Sequence, residues 1–255
     1  MSHEASAPLA APTGAGESVT IRGGVELPAI RENIELHTRD GLTLVGELSS
    51  PESGASVATM VALHPLSTAG GFMDSHIIRK AAARLPALAD VAVLRFNFRG
   101  VSSPRGTSGG EFGSGIDEEL DLAAAMEFVA QRGLPHPWIV GWSFGTEVTL
   151  KYGLQHPIDG AILLSPPLRI TTGTEVAAWA GSGKRLVAIV PEFDDYLRPA
   201  EAAERFASVP DLEFVAVEGG KHLWVGEHQT YRVLTEIVAR LNPAALPLPT
   251  MWPGQ

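Results

Sequence analysis

The chain alternates short apolar runs with segments of helical periodicity, and no other feature restricts its fold as strongly. Six runs suit strands that are buried on both faces of a sheet: VATMVALHP, VAVLRFNF, PWIVGW, GAILLS, RLVAIVP and LEFVAVEG. Because the segments between them show helical patterns, we expect right-handed crossovers and a mainly parallel sheet. The sequence therefore predicts an α/β fold in which helices cover both faces of a doubly wound sheet.

An antiparallel hairpin and two well-marked helices complete the predicted fold. IELHT, the Asp40-Gly41 turn and LTLVGEL form the hairpin, which raises the sheet to about eight strands. One helix follows Gly115, where acidic residues occupy the positive end of the helix dipole. The last helix has an apolar stripe, formed by Tyr231, Leu234, Ile237, Val238 and Leu241, and ends at Asn242-Pro243.

The distribution of residue types predicts one folded domain between two tails. Residues 1–24 are rich in Ala, Ser, Gly, Pro and Glu and are expected to form a flexible N-terminal tail. No repeat or shift in composition divides residues 25–243, which we assign to one domain. Residues 244–255 form a Pro-rich C-terminal tail, which packs on the body, packs on a partner subunit in a homodimer, or stays extended.

Composition excludes several classes of protein and of partner. The 255 residues include no cysteine, which excludes disulfide frameworks, thiolate metal sites and thiol nucleophiles. A net charge of -10 argues against nucleic acid and anionic membranes as partners. The N-terminal residues are acidic where a secretory signal is basic, and no apolar run reaches the roughly 20 residues that span a bilayer. We therefore expect a cytoplasmic protein that binds neither nucleic acid nor a membrane.

Two segments match the pattern G-x-S-x-G, and their surroundings distinguish them. Gly141-Trp142-Ser143-Phe144-Gly145 lies between the strand-like PWIV and a helical segment, TEVTLKYGL. A sharp turn between a strand and a helix is what lifts a serine oxygen clear of a sheet edge, so Ser143 is the candidate nucleophile. Ser108 lies in the Gly- and Ser-rich loop SSPRGTSGGEFGSG, whose composition alone explains the match.

A serine nucleophile needs a base, and a base needs an orienting carboxylate. Functional groups of an α/β fold gather at the carboxyl ends of the parallel strands, and His222 follows the strand-like LEFVAVEG there. The strand-like RLVAIVP is followed by both Asp194 and Asp195. We prefer Asp194, because the last residue of such a turn is more often solvated, and expect Asp195 to be structural.

The sequence resembles the α/β-hydrolase superfamily from Asn33 to Leu241, and more narrowly a group of small bacterial predicted hydrolases. Four stretches carry the resemblance: His64-Pro65, Gly70-Gly71-Phe72-Met73-Asp74, RFNFRG from Arg95 to Gly100, and GWSFG. The order Ser143, Asp194, His222 is the order of that superfamily's triad.

The resemblance also implies an oxyanion hole and a place for substrate. It assigns the two backbone donors to Phe144 and Leu66, although Pro65 stands where the superfamily has glycine, and Ser67 is the alternative donor. The segment that usually forms a cap after the sixth strand has room for only one short helix. We expect substrate contacts from six residues, whose apolar members suit the core equally well: Ser67, Phe72, Leu168, Trp179, Tyr196 and Trp224.

These features predict a serine hydrolase that cleaves esters or thioesters through an acyl-enzyme and needs neither cofactor nor metal. A peptidase or amide hydrolase with the same triad is one alternative. A hydrolase fold that binds a small ligand without catalysis is another, because a fold does not fix a function.

Overall fold

The computed structural model describes residues 18–253 and contains a central sheet of eight strands. In chain order, β1 to β8 are Ile30–His37, Thr43–Ser50, Ala58–Leu63, Val91–Phe96, Pro137–Trp142, Gly160–Leu164, Arg185–Phe193 and Glu213–Lys221. Their order across the sheet is β8-β7-β6-β5-β3-β4-β2-β1. β2 is antiparallel to both of its neighbours, and all other pairs are parallel. The predicted hairpin and the predicted mainly parallel sheet of eight strands are confirmed.

Helices cover both faces of this sheet, as predicted. In chain order, α1 to α6 are His76–Ala89, Glu118–Gln131, Phe144–Tyr152, Gly173–Ala177, Pro199–Arg205 and Glu227–Leu241. Buried side chains of α1 and α6 form one core with the sheet, and those of α2 and α3 form a second core on the opposite face. The strands serve both cores because successive side chains point to opposite faces: Val61 packs in one core and Ala62 in the other.

The two ends of the described chain lie side by side. Val19–Thr20 pairs antiparallel with Met251–Trp252, and the buried Leu248 accepts a hydrogen bond on its carbonyl from the Tyr231 hydroxyl at 2.7 Å. Residues 244–253 therefore pack on the body. The predicted N-terminal tail begins outside the described residues, and its last part, 18–24, includes a paired strand that we did not predict. Among residues 18–253, every helix is too short or too polar to cross a bilayer.

Candidate active site

Ser143 lies at the sharp turn between β5 and α3. Its backbone has φ 52° and ψ -114°, a conformation that costs a non-glycine residue about 1–3 kcal/mol. Both neighbouring glycines are needed for close packing: a Cβ on Gly145 would overlap the carbonyl of Leu63, and one on Gly141 would overlap the carbonyl of Gly145. The turn therefore presents the Ser143 side chain at the carboxyl edge of the sheet.

A chain of hydrogen bonds joins Ser143, His222 and Asp194. His222 Nε2 lies 2.9 Å from Ser143 Oγ, and His222 Nδ1 lies 2.9 Å and 3.1 Å from the two carboxylate oxygens of Asp194. His222 and Asp194 are both buried. Because a carboxylate accepts from Nδ1–H, this arrangement leaves Nε2 of the neutral imidazole free to accept the Ser143 hydroxyl. The structure thus brings the three predicted residues together.

The neighbouring aspartates differ in burial and in contacts. Asp194 Oδ1 accepts hydrogen bonds from the backbone N–H groups of Tyr196 at 2.8 Å and Leu197 at 3.3 Å. Asp195 is exposed to solvent. The choice of Asp194 agrees with this geometry, but the reason differs from the one we gave: helix α5 begins at Pro199, four residues beyond Asp195.

Three side chains hold the loop that carries His222. The Trp142 indole Nε1–H donates to the His222 carbonyl at 3.1 Å, and the Ser165 hydroxyl donates to the same oxygen at 3.2 Å. His76 Nε2 lies 2.5 Å from the carbonyl of Leu223. Burial lowers the pKa of His76, which favours its neutral form. These contacts fix the loop through two consecutive backbone carbonyls, those of His222 and Leu223.

The two predicted oxyanion donors lie on the wall of the pocket that contains Ser143. Leu66 and Phe144 both line this pocket. Within residues 18–253, the backbone N–H of neither residue donates to another protein group. Their amides are therefore available to an oxyanion, and their role stays a prediction.

His64 fixes the start of the loop that carries Leu66. It is fully buried, with Nδ1 at 2.6 Å from the Pro65 carbonyl and Nε2 accepting the Phe98 N–H at 3.0 Å. One nitrogen donates and the other accepts, so the ring is neutral. Burial lowers its pKa to about 4.

The pocket beside Ser143 has a volume of about 300 Å³ and mixes predicted with unpredicted residues. Tyr196 lines it, as predicted, and packs edge-on against the His222 ring at 4.5 Å between centroids. The structure adds nine lining residues that sequence reasoning missed: Pro65, Ala69, Phe112, Ser114, Glu147, Pro167, Arg169, Ile170 and Leu223. Arg169 and Ile170 lie in the short segment after β6, the position where the superfamily usually has its cap, and this position was the signal that could have found them.

Three of the predicted substrate contacts are wrong. Leu168, Trp179 and Trp224 are buried core residues, at 3%, 2% and 0% exposure. Trp179 packs with its indole N–H on the Leu150 carbonyl, and Trp224 belongs to the core on the other face of the sheet. Each side chain turns inward because the core offers a large apolar residue more contact than the sheet edge does.

Two further predicted contacts lie beside the pocket rather than in it. Ser67 and Phe72 line a neighbouring pocket of about 300 Å³, which shares Phe112 with the first. The Ser67 hydroxyl is buried without a hydrogen-bond partner among the described residues. The short turn Ser67–Ala69 separates the two pockets.

Glu147 ties the segment after β6 to helix α3, which begins directly after Ser143. It lies in α3 at 1% exposure and accepts hydrogen bonds from Arg169 N–H at 2.6 Å and from both the N–H, at 2.8 Å, and the hydroxyl of Thr171. Helix α4, five residues long, is the one helix that the structure describes in this segment. We call residues 167–171 the strap, since this short segment borders the pocket and is held by Glu147. Among the described residues, the strap takes the place of a cap domain.

The second G-x-S-x-G serine has a structural position. Ser108 is fully buried; its hydroxyl accepts the Val45 N–H at 3.0 Å and donates to the Asn97 carbonyl at 2.8 Å. Backbone groups thus take up the hydrogen bonds that the Ser108 hydroxyl accepts and donates.

Within residues 18–253, no group of three or more His, Asp or Glu side chains is placed to hold a metal ion.

The chain matches no family model. A segment of 111 residues is 32% identical to an uncharacterized protein of Rickettsia prowazekii, and it covers 42% of this chain and 44% of that protein. The chain thus matches less than half the length of that relative.

Solved structures are similar over most of the chain. An α/β serine hydrolase without a lid from Xanthomonas campestris has a TM-score of 0.68 at 25% identity, over 88% of this chain and 99% of its own. An α-β serine hydrolase homologue from Coxiella burnetii has a TM-score of 0.69 at 22% identity, over 82% and 96%. An esterase from Pyrococcus furiosus has a TM-score of 0.66 at 21% identity, over 83% and 93%.

Proposed function

We propose that this chain, which has the α/β-hydrolase fold, is a serine hydrolase that cleaves carboxylic esters or thioesters of small molecules. One observation carries the proposal: the hydrogen-bonded series Ser143, His222, Asp194 at a strained strand-to-helix turn. The relatives described as serine hydrolases and as an esterase support hydrolysis as the type of reaction. The short strap leaves the pocket open, which supports a small substrate rather than one that a cap encloses.

The proposed reaction proceeds through an acyl-enzyme. Ser143 Oγ attacks the acyl carbon while its proton passes to His222 Nε2. The N–H groups of Leu66 and Phe144 stabilise the oxyanion that forms. As the intermediate collapses, the bond to the leaving group breaks and His222 returns the proton to the departing oxygen or sulfur. Water then attacks the acyl-enzyme with His222 as base, which releases the acid and restores the Ser143 hydroxyl.

The position of Asp194 gives it a distinct role in this sequence. Its carboxylate holds Nδ1–H, so the imidazole presents Nε2 toward the nucleophile in both half-reactions. The same contact stabilises the imidazolium that forms each time His222 takes up a proton. No step in this scheme requires a cofactor.

The test pairs the two serines that share the sequence pattern. The intact chain is treated with a fluorophosphonate probe and assayed on p-nitrophenyl esters of increasing chain length. Ser143→Ala should abolish labelling and lower kcat by a factor on the order of 10⁶. Ser108→Ala should keep both, although the loss of its two buried hydrogen bonds should lower the free energy of unfolding by about 1–3 kcal/mol.

Adding the corresponding p-nitroanilides to this assay separates the alternatives. A chain that labels at Ser143 and cleaves anilides but no ester is a peptidase or amide hydrolase. A chain that neither labels nor turns over any substrate is a binding protein, and the proposal is then wrong. The homodimer and the cytoplasmic location stay predictions.

A further inference from the structure

Arg169 places a positive charge on the wall of the Ser143 pocket. Apart from the His222 ring, it is the only basic side chain among the described residues that line this pocket. The residue is exposed, whereas the rest of the wall is largely apolar, with Leu66, Phe144 and Ile170 among its members. A cation in such a wall can bind an anionic group and orient the molecule that carries it.

The charge of Arg169 is not neutralised by the described part of the protein. Two buried arginines, in contrast, are neutralised: Arg99 pairs with Asp121 at 2.8 Å, and Arg95 pairs with Glu47 at 2.6 Å. Within residues 18–253, the Arg169 guanidinium forms no ion pair and no hydrogen bond, and it stacks on the Tyr196 ring at 5.2 Å. Its donors are therefore free to meet a ligand.

The pocket wall also contains a carboxylate, but that group does not face a ligand. Glu147 is 1% exposed, and its two oxygens accept three hydrogen bonds from Arg169 and Thr171. This arrangement instead fixes the backbone from which the Arg169 side chain extends. Arg205 fixes the preceding residue by donating to the Leu168 carbonyl at 2.5 Å.

Two contacts of the Tyr196 ring place Arg169 on the His222 side of the proposed nucleophile. The guanidinium lies over the Tyr196 ring, and that ring packs edge-on against His222. In the proposed reaction, His222 protonates the departing atom, so the leaving group lies on the His222 side of the acyl carbon. A group attached to the leaving alcohol or thiol is thus the part of the substrate that can reach Arg169.

We infer that the substrate is an ester or thioester whose leaving group carries an anionic group, a carboxylate or a phosphate, and that Arg169 binds this anion. The inference rests on the proposed function, because it uses the direction in which the leaving group departs. It makes Arg169 a specificity-determining residue. With a net charge of -10, the protein repels anions over most of its surface. A cation at Arg169 therefore attracts an anionic substrate at the pocket where it can react.

The test compares substrates that differ only in the charge of the leaving group. Para-acetoxybenzoate and para-acetoxyphenyl phosphate carry the two anions, and para-acetoxybenzamide is the neutral counterpart of similar size. The quantity measured is the ratio of kcat/KM for each anionic ester to that for the amide-bearing ester. Arg169→Met removes the charge and keeps an unbranched apolar side chain, and Arg169→Lys restores the charge without the planar group. Lys184→Met, on a residue outside this pocket, removes the same charge as a control.

We expect Arg169→Met to lower this ratio about tenfold, as the loss of a charge-assisted hydrogen bond implies. Arg169→Lys should recover part of the ratio and Lys184→Met should not change it. Added salt should lower the ratio in every form that keeps a cation at position 169, and not in Arg169→Met. Whichever of the two anionic esters loses more in Arg169→Met identifies carboxylate or phosphate as the preferred anion. An unchanged ratio in Arg169→Met, or an equal loss on all three esters, would overturn the inference.

A binding measurement separates failure of this inference from failure of the proposed function. Calorimetry with para-hydroxybenzoate and para-hydroxybenzamide, the released alcohols, requires no turnover. If no ester is cleaved, the proposed function fails; tighter binding of the benzoate that is lost in Arg169→Met then still supports an anion site at Arg169. Equal binding of the two alcohols by the wild type contradicts that site.

Discussion

The indole N–H of Trp142 donates to the backbone carbonyl of His222 at 3.1 Å, which joins the residue before the proposed nucleophile to the proposed base. Strand β5 and the loop after β8 are thereby linked directly, and Ser165 adds a second donor to the same carbonyl. The distance between Ser143 and His222 thus depends on contacts of the backbone as well as on the triad itself.

Replacing Trp142 by Phe removes this hydrogen bond and keeps an aromatic ring. We expect kcat on a p-nitrophenyl ester to fall about fivefold, since a bond of this kind contributes about 1 kcal/mol, with little change in KM. Trp179→Phe is a matched control, because it removes an indole-to-carbonyl bond of the same 3.1 Å length on Leu150. Equal losses of kcat in the two variants would show that Trp142 has only a structural role.

The two adjacent aspartates should differ sharply when each is replaced by asparagine. In Asp194→Asn the carboxamide keeps an oxygen for the Tyr196 and Leu197 amides but cannot hold His222 Nδ1–H as a carboxylate does, so kcat should fall by about 10⁴. Asp195→Asn should cost far less, because Asp195 is exposed. Both changes remove one charge, and thermal melts identify unfolding. A larger loss in Asp195→Asn at equal stability would contradict this assignment.

Glu147→Gln should loosen the strap over the pocket. A carboxamide offers one acceptor oxygen where three donors from Arg169 and Thr171 now converge on two. We expect KM to rise several-fold and the free energy of unfolding to fall by about 1–3 kcal/mol. Glu127→Gln, on the exposed face of α2, is the control. Unchanged KM together with lower stability would assign Glu147 to folding alone.

His64 should make the stability of the protein depend on pH. Burial lowers its pKa to about 4 from an ordinary value of 6.5. As pH falls below about 6.5, the imidazole is protonated in the unfolded state but stays neutral in the folded state, so the folded state loses relative stability. The loss should be complete once the pH is below about 4, where the folded state is protonated as well. The full loss corresponds to about 3 kcal/mol. Urea denaturation at several pH values should show the fall, and His64→Gln should reduce its slope.

Burial also lowers the pKa of His76 and of His156, so both add to the slope in the same direction. A direct measurement therefore complements the variant. The ring protons of His64 in the folded wild type should titrate well below pH 6 in an NMR experiment. Titration at an ordinary pH would contradict the prediction even if His64→Gln fails to fold.

The sheet and helices could be predicted because their signals are local. The six apolar runs are long enough to be buried on two faces, and Asp40-Gly41 fixes the hairpin between β1 and β2. The candidate triad could be placed for a similar reason: Ser143, Asp194 and His222 each follow a parallel strand, and such strands end at one edge of the sheet. Position along a strand determined their place in space.

The pocket wall could not be predicted because its residues come from separate segments and their side chains can turn either way. Leu168 and Arg169 are neighbours in the segment after β6, yet Leu168 packs in the core and Arg169 lines the pocket. Leu168 also has a positive φ of 49°, which no local sequence signal marks. Trp179 and Trp224 gain more by burial than at a rim. The role of Glu147 depends on backbone N–H groups more than 20 positions away, which no local pattern reveals.

The backbone conformation of Ser143 sets thermal stability against catalysis. Its positive φ of 52° is a conformation that glycine adopts without steric cost. We therefore expect directed evolution that ranks variants by melting temperature alone to favour Ser143→Gly, a change that relieves the backbone strain and removes the hydroxyl. A thermostable form of this protein has to be selected for turnover in every round, because at this position heat resistance and chemistry favour different amino acids.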